Sequence, residues 1–207
     1  MKNKGIILFG CGGHAKSCID IAISLKIYNI IVVDENANQD EFIMGYMIYN
    51  SIPKFNNQEY GFFTAIGDNS IRSQIYNYYV NKGCTFVNLI SSHAYLSSTS
   101  EMGNGVFIGH NCHVGPDVII GNNSIINTHA IIEHDCRIGN NTHIAIGAHV
   151  AGRVSIGDFC MVGAGSTIRD RISINNSIII GAGAVVVNNI EEKGIYVGIP
   201  AKIKPLK

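Results

Sequence analysis

Residues 106–138 read VFIGHN-CHVGPD-VIIGNN-SIINTH-AIIEHD-CRI, and their spacing decides the fold. Every sixth residue is large and β-branched: Ile108, Val114, Ile120, Ile126, Ile132 and Ile138. Followed outward, the series runs from Ile90 through Leu96 and Met102 to Val186, with 15 of its 17 positions Ile or Val. The chain holds 36 Ile and 14 Val among 207 residues, so composition alone would place about four there. An unbroken period of six marks a β-helix, whereas an α-helix repeats near 3.6 and a lone strand near 2. Two residues before each bulky one lies a small inward partner, such as Cys112, Ser124, Ala130, Cys136, Ala148 or Cys160. The following glycine (Gly109, Gly115, Gly121, Gly139, Gly157, Gly163, Gly181) reads as the tight corner. Residues 90–186 therefore form about five coils, a rod of roughly 26 Å at ~4.8 Å per layer.

Composition agrees with this reading. Charged residues are 14%, Lys+Arg and Asp+Glu number 15 each, and glycine reaches 23. No basic cluster offers a footprint for nucleic acid, and no apolar run is long enough to insert in a membrane. Six cysteines without a secretory leader read as reduced thiols of a cytoplasmic protein. Cys112, Cys136 and Cys160 recur every 24 residues, one coil up and one face around, so they read as packing and not as disulfides.

Before the repeat the pattern changes, dividing the chain into an α/β unit at 1–84 and a β-helix with its tail at 85–207. Short strands at 5–10, 30–33 and 62–66 alternate with helical stretches ending near Lys26 and Asn81, which implies a small parallel sheet, a half-Rossmann unit. Gly10-x-Gly12-x-x-Ala15 is a near match to the dinucleotide fingerprint, where glycines let the backbone approach a diphosphate at a helix N-terminus. Asp34, 24 residues on, is placed for ribose hydroxyls. Half a doubly wound sheet suits a mononucleotide diphosphate better than NAD. A tight strand–helix turn without a ligand is the alternative reading.

Six of the eight histidines (His110, His113, His129, His134, His143 and His149) fall in the regular part of the repeat, and His93 lies at its irregular first edge. The 18-residue register sorts the outward positions into columns. Phe107, Ile125, His143, Met161 and Ile179 form an apolar ridge, which is expected to bury itself against another copy of the chain. A second column holds His113, Ile131, His149, Thr167 and Val185, while Glu101, Ile119, Arg137, Ser155 and Ser173 read as solvent-facing. His134, in Ile132-Glu133-His134-Asp135, is flanked by two carboxylates that could orient an imidazole as a base. A surface or packing role is the competing reading. His134 and His143 lie half a coil apart on different sides of the prism, so a site sharing both would span two copies.

The segments Gly-Cys-Gly-Gly-His (10–14), Val-Asp-Glu (33–35), Ala-Ile-Gly-Asp-Asn (65–69), Ile-Ile-Glu-His-Asp (131–135) and Glu-Lys-Gly-Ile-Tyr-Val-Gly-Ile-Pro-Ala-Lys (192–202) cover nearly the whole chain. Together they resemble the hexapeptide-repeat nucleotide-amino-sugar N-acetyltransferases of bacterial surface-glycan synthesis, and also the related sialic acid O-acetyltransferases. The resemblance implies a left-handed parallel β-helix and acetyl-CoA as co-substrate; a homotrimer is expected because a triangular prism with grooves between copies suits three active sites, and no metal is expected. It implies that His134 is the general base and that Asp135, where compared relatives carry Glu, raises its basicity. His143, Ala164 and Ala182 match positions lining the acetyl-CoA groove. Gly12, Gly13, His14, Asp34, Glu35 and Gly67 match nucleotide-sugar contacts, with Asn127 a further sugar contact.

The expected reaction is direct transfer of acetyl to a sugar 4-amino group, the nucleotide being UDP by preference or dTDP. An acetyl-cysteine intermediate on Cys136 is not expected, because that residue faces inward. Three other activities are weighed against this one. Sialic acid O-acetylation is the nearest. His93, His129 and His134, the first two separated by two whole coils, resemble the three-histidine zinc pattern of β-helical carbonic anhydrases. A non-catalytic nucleotide-sugar-binding scaffold is the third.

Overall fold

The computed structural model describes residues 5–38, 40–53 and 59–205. Strands β1 (Gly5–Phe9), β2 (Ile30–Val33), β3 (Phe42–Ile43), β4 (Tyr46–Tyr49) and β5 (Tyr60–Thr64) form one sheet in the order β3-β4-β2-β1-β5. The β4-β2-β1-β5 core is parallel, and β3 pairs antiparallel with β4. That hairpin turns at Met44 and Gly45, both with positive φ. Every residue of β1 is buried, as expected of a central parallel strand covered on both faces. Helices α1 (Gly13–Ser24) and α2 (Asn69–Val80) supply the cover. Asp68 caps α2 by accepting from the Ser70 and Ile71 amides. Phe86 still bridges to Phe62 of β5 before the first rung begins at Leu89.

From Leu89 the chain winds through two-residue rungs that stack into three parallel faces. Rungs pair with those 18 residues away, as Ile125↔His143 and Ile131↔His149 show. The six-residue series points inward throughout: Ile108, Val114, Ile126, Ile132 and Ile144 are fully buried. Each such side chain contributes roughly 1.5–3 kcal/mol of burial. Cys112, Cys136 and Cys160 are buried free thiols, their sulfurs bonded to the carbonyls of Asn127, Ala151 and Asn175.

Two sequence expectations require correction. The glycines after the bulky residue do not turn the corner by a left-handed backbone. That conformation falls two residues later, at Asn111, Asp117, Asn123, His129, Asp135 and Asn141 in succession. The glycine is needed for space instead: a Cβ on Gly109 would lie 2.6 Å from the Thr128 amide of the next coil.

The second correction concerns the apolar ridge. Phe107, Ile125 and His143 are buried within the single chain, at 0%, 1% and 8% exposure. Phe107 and Ile125 belong to the same apolar cluster as Ile6, Leu8, Ala15, Ile19 and Phe63. The N-terminal unit folds back onto the ridge and covers its first three rungs. Only the far end, at Ile179, stays 42% exposed.

Candidate functional site

Three groups of predicted residues occupy three places. The first is a cavity of about 890 Å³ at the carboxyl ends of β1, β2 and β5, where open parallel sheets hold ligands. Gly12, Gly13, His14, Asp34, Glu35 and Gly67 all line it. A side chain on Gly12, Gly13 or Gly67 would meet nothing within 4 Å, so packing does not demand glycine there. The bare positions open onto the cavity instead.

Helix α1 starts at this wall with Gly12 as its cap, no side-chain cap bond and no acid in its first turn. Its leading N–H groups and positive dipole end are left to an anion. Asp34 accepts from the Cys11 amide and, through its other oxygen, from the Asn36 amide, each at 3.1 Å. It thereby ties the β1–α1 loop to the end of β2. Helix α2 closes the far side with Ile71, Ile75, Tyr78 and Tyr79, an apolar and aromatic wall beside the polar loops.

Below the cavity, the N-terminal unit meets the β-helix. His14 sets its ring edge-on to Phe107, centroids 4.6 Å apart. Burial, with His143 and Arg72 nearby, pushes the His14 imidazole down to about 3. Burial and Arg72 push His143 down to about 4. Both rings are therefore neutral at ordinary pH. The Asn127 side-chain amide donates to His143 Nε2 at 3.2 Å, which leaves the proton on Nδ1. His14 Nε2 is buried without a partner, while the Gly67 backbone faces the His143 ring.

Arg72, 1% exposed, joins the two parts. Its guanidinium donates to the carbonyls of Asn123 (2.8 Å) and Asn141 (2.9 Å) on successive coils. It also donates to the Gly67 carbonyl (3.0 Å), the Ile66 carbonyl (3.2 Å) and Asn69 Oδ1 (2.7 Å). Asn69 in turn donates to the Cys160 carbonyl at 2.9 Å. Sequence reasoning missed Arg72. Its signal was present, because it is the one charged residue in α2.

The second place is the corner between the rungs Ile131–Ile132 and Arg137–Ile138. Here His134 Nδ1 lies 2.7 Å from Asp135 Oδ2, both side chains about half exposed. Asp135 adopts φ 61°, the left-handed corner residue of its coil. A carboxylate one methylene shorter than Glu thus still reaches the ring. An Asp accepting at Nδ1 leaves Nε2 as the basic nitrogen. Cys136 is fully buried, with its thiol pushed up to about 11 by burial.

The third place is the corner after the rungs Met161–Val162 and Ile179–Ile180, where Ala164 and Ala182 are exposed and stacked above Ile146. Neither His134 nor these alanines line the cavity. A single chain does not bring the three groups together. His143 lies under the N-terminal unit, on the cavity side of the rod. His93 sits beside His110, and His129 beside Asn111. Among the described residues, no three His, Cys, Asp or Glu side chains are grouped to hold a metal ion.

Residues 5–79 match the family described as the PglD N-terminal domain. Residues 99–134 and 135–170 match bacterial transferase hexapeptide repeats, and 153–190 match the hexapeptide repeat of succinyl-transferase. The acetyltransferase domain of PglB from Neisseria gonorrhoeae FA1090 superposes with a TM-score of 0.92 at 27% identity, over 98% of this chain and 100% of that one. It has also been solved with acetyl coenzyme A. PerB from Caulobacter crescentus, in complex with CoA and GDP-perosamine, matches at 32% identity over 97% of each chain, TM-score 0.89. A curated relative, the uncharacterized protein L142 of Acanthamoeba polyphaga mimivirus, is 37% identical over 113 residues. That match spans 54% of this chain and 22% of the viral protein, so the chain covers about a fifth of that relative's length.

Proposed function

This chain belongs to the hexapeptide-repeat N-acetyltransferases of nucleotide-linked amino sugars, and from that premise we propose that it moves acetyl from acetyl-CoA to the 4-amino group of a nucleotide-linked 4-amino-4,6-dideoxy sugar, feeding surface-glycan or glycoprotein synthesis. UDP is the preferred carrier and dTDP the second. The observation that carries the catalytic part is the 2.7 Å contact between His134 and Asp135.

In the proposed step the neutral sugar amine attacks the thioester carbonyl and a C–N bond forms. His134 Nε2 takes the proton that the amine sheds, while Asp135 holds Nδ1–H and stabilises the imidazolium. The C–S bond then breaks, and the proton held on His134 passes to the sulfur, so coenzyme A leaves as the thiol and the imidazole is neutral again. No acyl-enzyme is needed. The cavity's glycine edge and the α1 N-terminus support a diphosphate there, and Asp34 and Glu35 support ribose recognition.

The site is completed between copies, because His134 sits on a different corner from the cavity and from Ala164 and Ala182. A homotrimer with three inter-subunit grooves is the assembly that fits a three-sided rod. No helix among the described residues is long and apolar enough to cross a membrane. The cytoplasm is the compartment that fits a chain with six free thiols.

Replacing His134 with Ala is expected to lower turnover about 10²–10⁴-fold, measured as thiol release from acetyl-CoA with an amino-sugar nucleotide. Near-wild-type turnover would refute the role of His134. A panel of UDP-, dTDP- and GDP-linked 4-amino sugars identifies the carrier, and a preference for GDP would overturn the UDP assignment. A monomer by light scattering would contradict the inter-subunit site.

A further inference from the structure

We propose that Gly152 is a positioning residue for His134, acting by leaving vacant the space in which the imidazole rests. The inference deepens the proposed function and rests on His134 being the base. Gly152 occupies, one coil above, the same corner position as His134. A Cβ built on Gly152 would lie 2.6 Å from His134 Nε2, 2.7 Å from Cε1 and 3.2 Å from Cδ2. All three nearest atoms belong to that one ring.

The repeat glycines Gly109, Gly115, Gly121 and Gly163 are constrained differently, by main-chain atoms of the next coil. Gly115, one coil below, would press its Cβ on the main chain of Ile132, Glu133 and His134, at 2.9 Å from the His134 amide. It has the ordinary role of a repeat glycine. Gly152 meets no main chain beyond its neighbours at such distance, and its φ lies outside the left-handed range. Neither a left-handed backbone nor a main-chain atom closer than 3.2 Å requires glycine at 152, and the nearest obstacle to a side chain is the ring.

The imidazole is thus held at two points. Asp135 fixes Nδ1 at 2.7 Å, and the bare α-carbon of Gly152 lets the opposite edge lie against the coil above. The atom closest to the missing Cβ is Nε2, the nitrogen proposed to take the proton. A methyl group there would push that nitrogen outward while the Asp135 contact still tethers the other side. Because the ring is about half exposed, it has room to yield without disturbing the coils.

The test is Gly152→Ala assayed beside His134→Ala, with acetyl-CoA and the amino-sugar nucleotide the wild type prefers. Gly152→Ala is expected to lower kcat roughly 10²-fold with both KM values unchanged, the cost of misplacing a reacting group by about 1 Å. It should also change the pH profile of kcat. Thermal unfolding of both single variants and the double variant gives a second readout. Gly152→Ala should lower Tm in the wild-type background and be neutral in the His134→Ala background, where the ring is gone. Wild-type kcat in Gly152→Ala, with His134→Ala inactive, would overturn the inference and leave the base assignment standing. So would misfolding of Gly152→Ala in both backgrounds, which would mean that the methyl strikes the coil. An active His134→Ala would instead remove the base assignment itself.

Discussion

The cavity of the N-terminal unit and the His134 corner are built in opposite ways. The cavity is lined by the loops of a sheet and a helix within this chain, and beneath it lies a seam where His14 and His143 are kept neutral by burial. The corner is half exposed, and its proposed catalytic pair is two adjacent residues. Binding a charged nucleotide needs converging loops and an enclosed volume, which takes a sheet and two helices. Presenting a base to a second molecule needs only a rigid rung and a fixed ring. The corner is open because its other wall, in the proposed assembly, belongs to a neighbouring copy.

That contrast can be broken at the seam first, where the effect should be largest. Arg72→Met leaves the carbonyls of Asn123, Asn141 and Gly67 without their donor. A loss of about 3 kcal/mol in denaturant unfolding is expected. If stability is unchanged, the N-terminal unit does not depend on this seam.

At the corner, Asp135→Asn should lower kcat about ten-fold. That is less than the His134→Ala loss, since a half-exposed pair is weakened by solvent. A loss equal to that of His134→Ala would mean that Asp135 does more than orient the ring.

In the cavity, Gly12→Asp puts a carboxylate on the α1 N-terminus in open space. The KM for the nucleotide sugar should rise roughly five-fold, with Tm unchanged or higher, because Asp is a good cap that competes with a diphosphate for the same N–H groups. An unchanged KM would move the diphosphate elsewhere.

The smallest effect is in pH. Unfolded histidines titrate near 6.5, while folded His14 and His143 titrate at about 3 and 4. Between those values the unfolded chain binds more protons. Stability is therefore full above about 6.5 and declines as the pH falls toward 4. His143→Phe should flatten the decline in a Tm-versus-pH series; an unaltered slope would assign it to other groups.

How much of this was legible in the sequence depended on distance along the chain. The inward series from Ile90 to Val186 could be read because each rung repeats the last, and the His134–Asp135 pair because its members are neighbours. The cavity loops could be read because each follows a short buried strand. The β3–β4 hairpin was missed: Phe42-Ile43 and Tyr46-Met47-Ile48-Tyr49 are brief, and only Gly45 signals the turn. Arg72 was passed over since its acceptors lie 51 and 69 residues away. The corner glycines were noticed for the wrong reason, because a residue's own φ cannot be separated from crowding by the next coil until the coils are stacked.

The sequence by itself determined the six-residue period, the identity of the inward side chains, the change of architecture ahead of the first rung at Leu89 and the adjacency of an imidazole and a carboxylate. These are local or periodic properties, written in side-chain alternation and backbone preference. Tertiary structure alone decided what covers the ridge, since Phe107 and Ile125 are apolar and outward under either arrangement. It chose the chain's own N-terminal unit over a second copy for those rungs and left Ile179 open. It likewise decided that Gly152 accommodates a ring. Covering and spacing depend on which distant segments meet, and no residue states its partner alone.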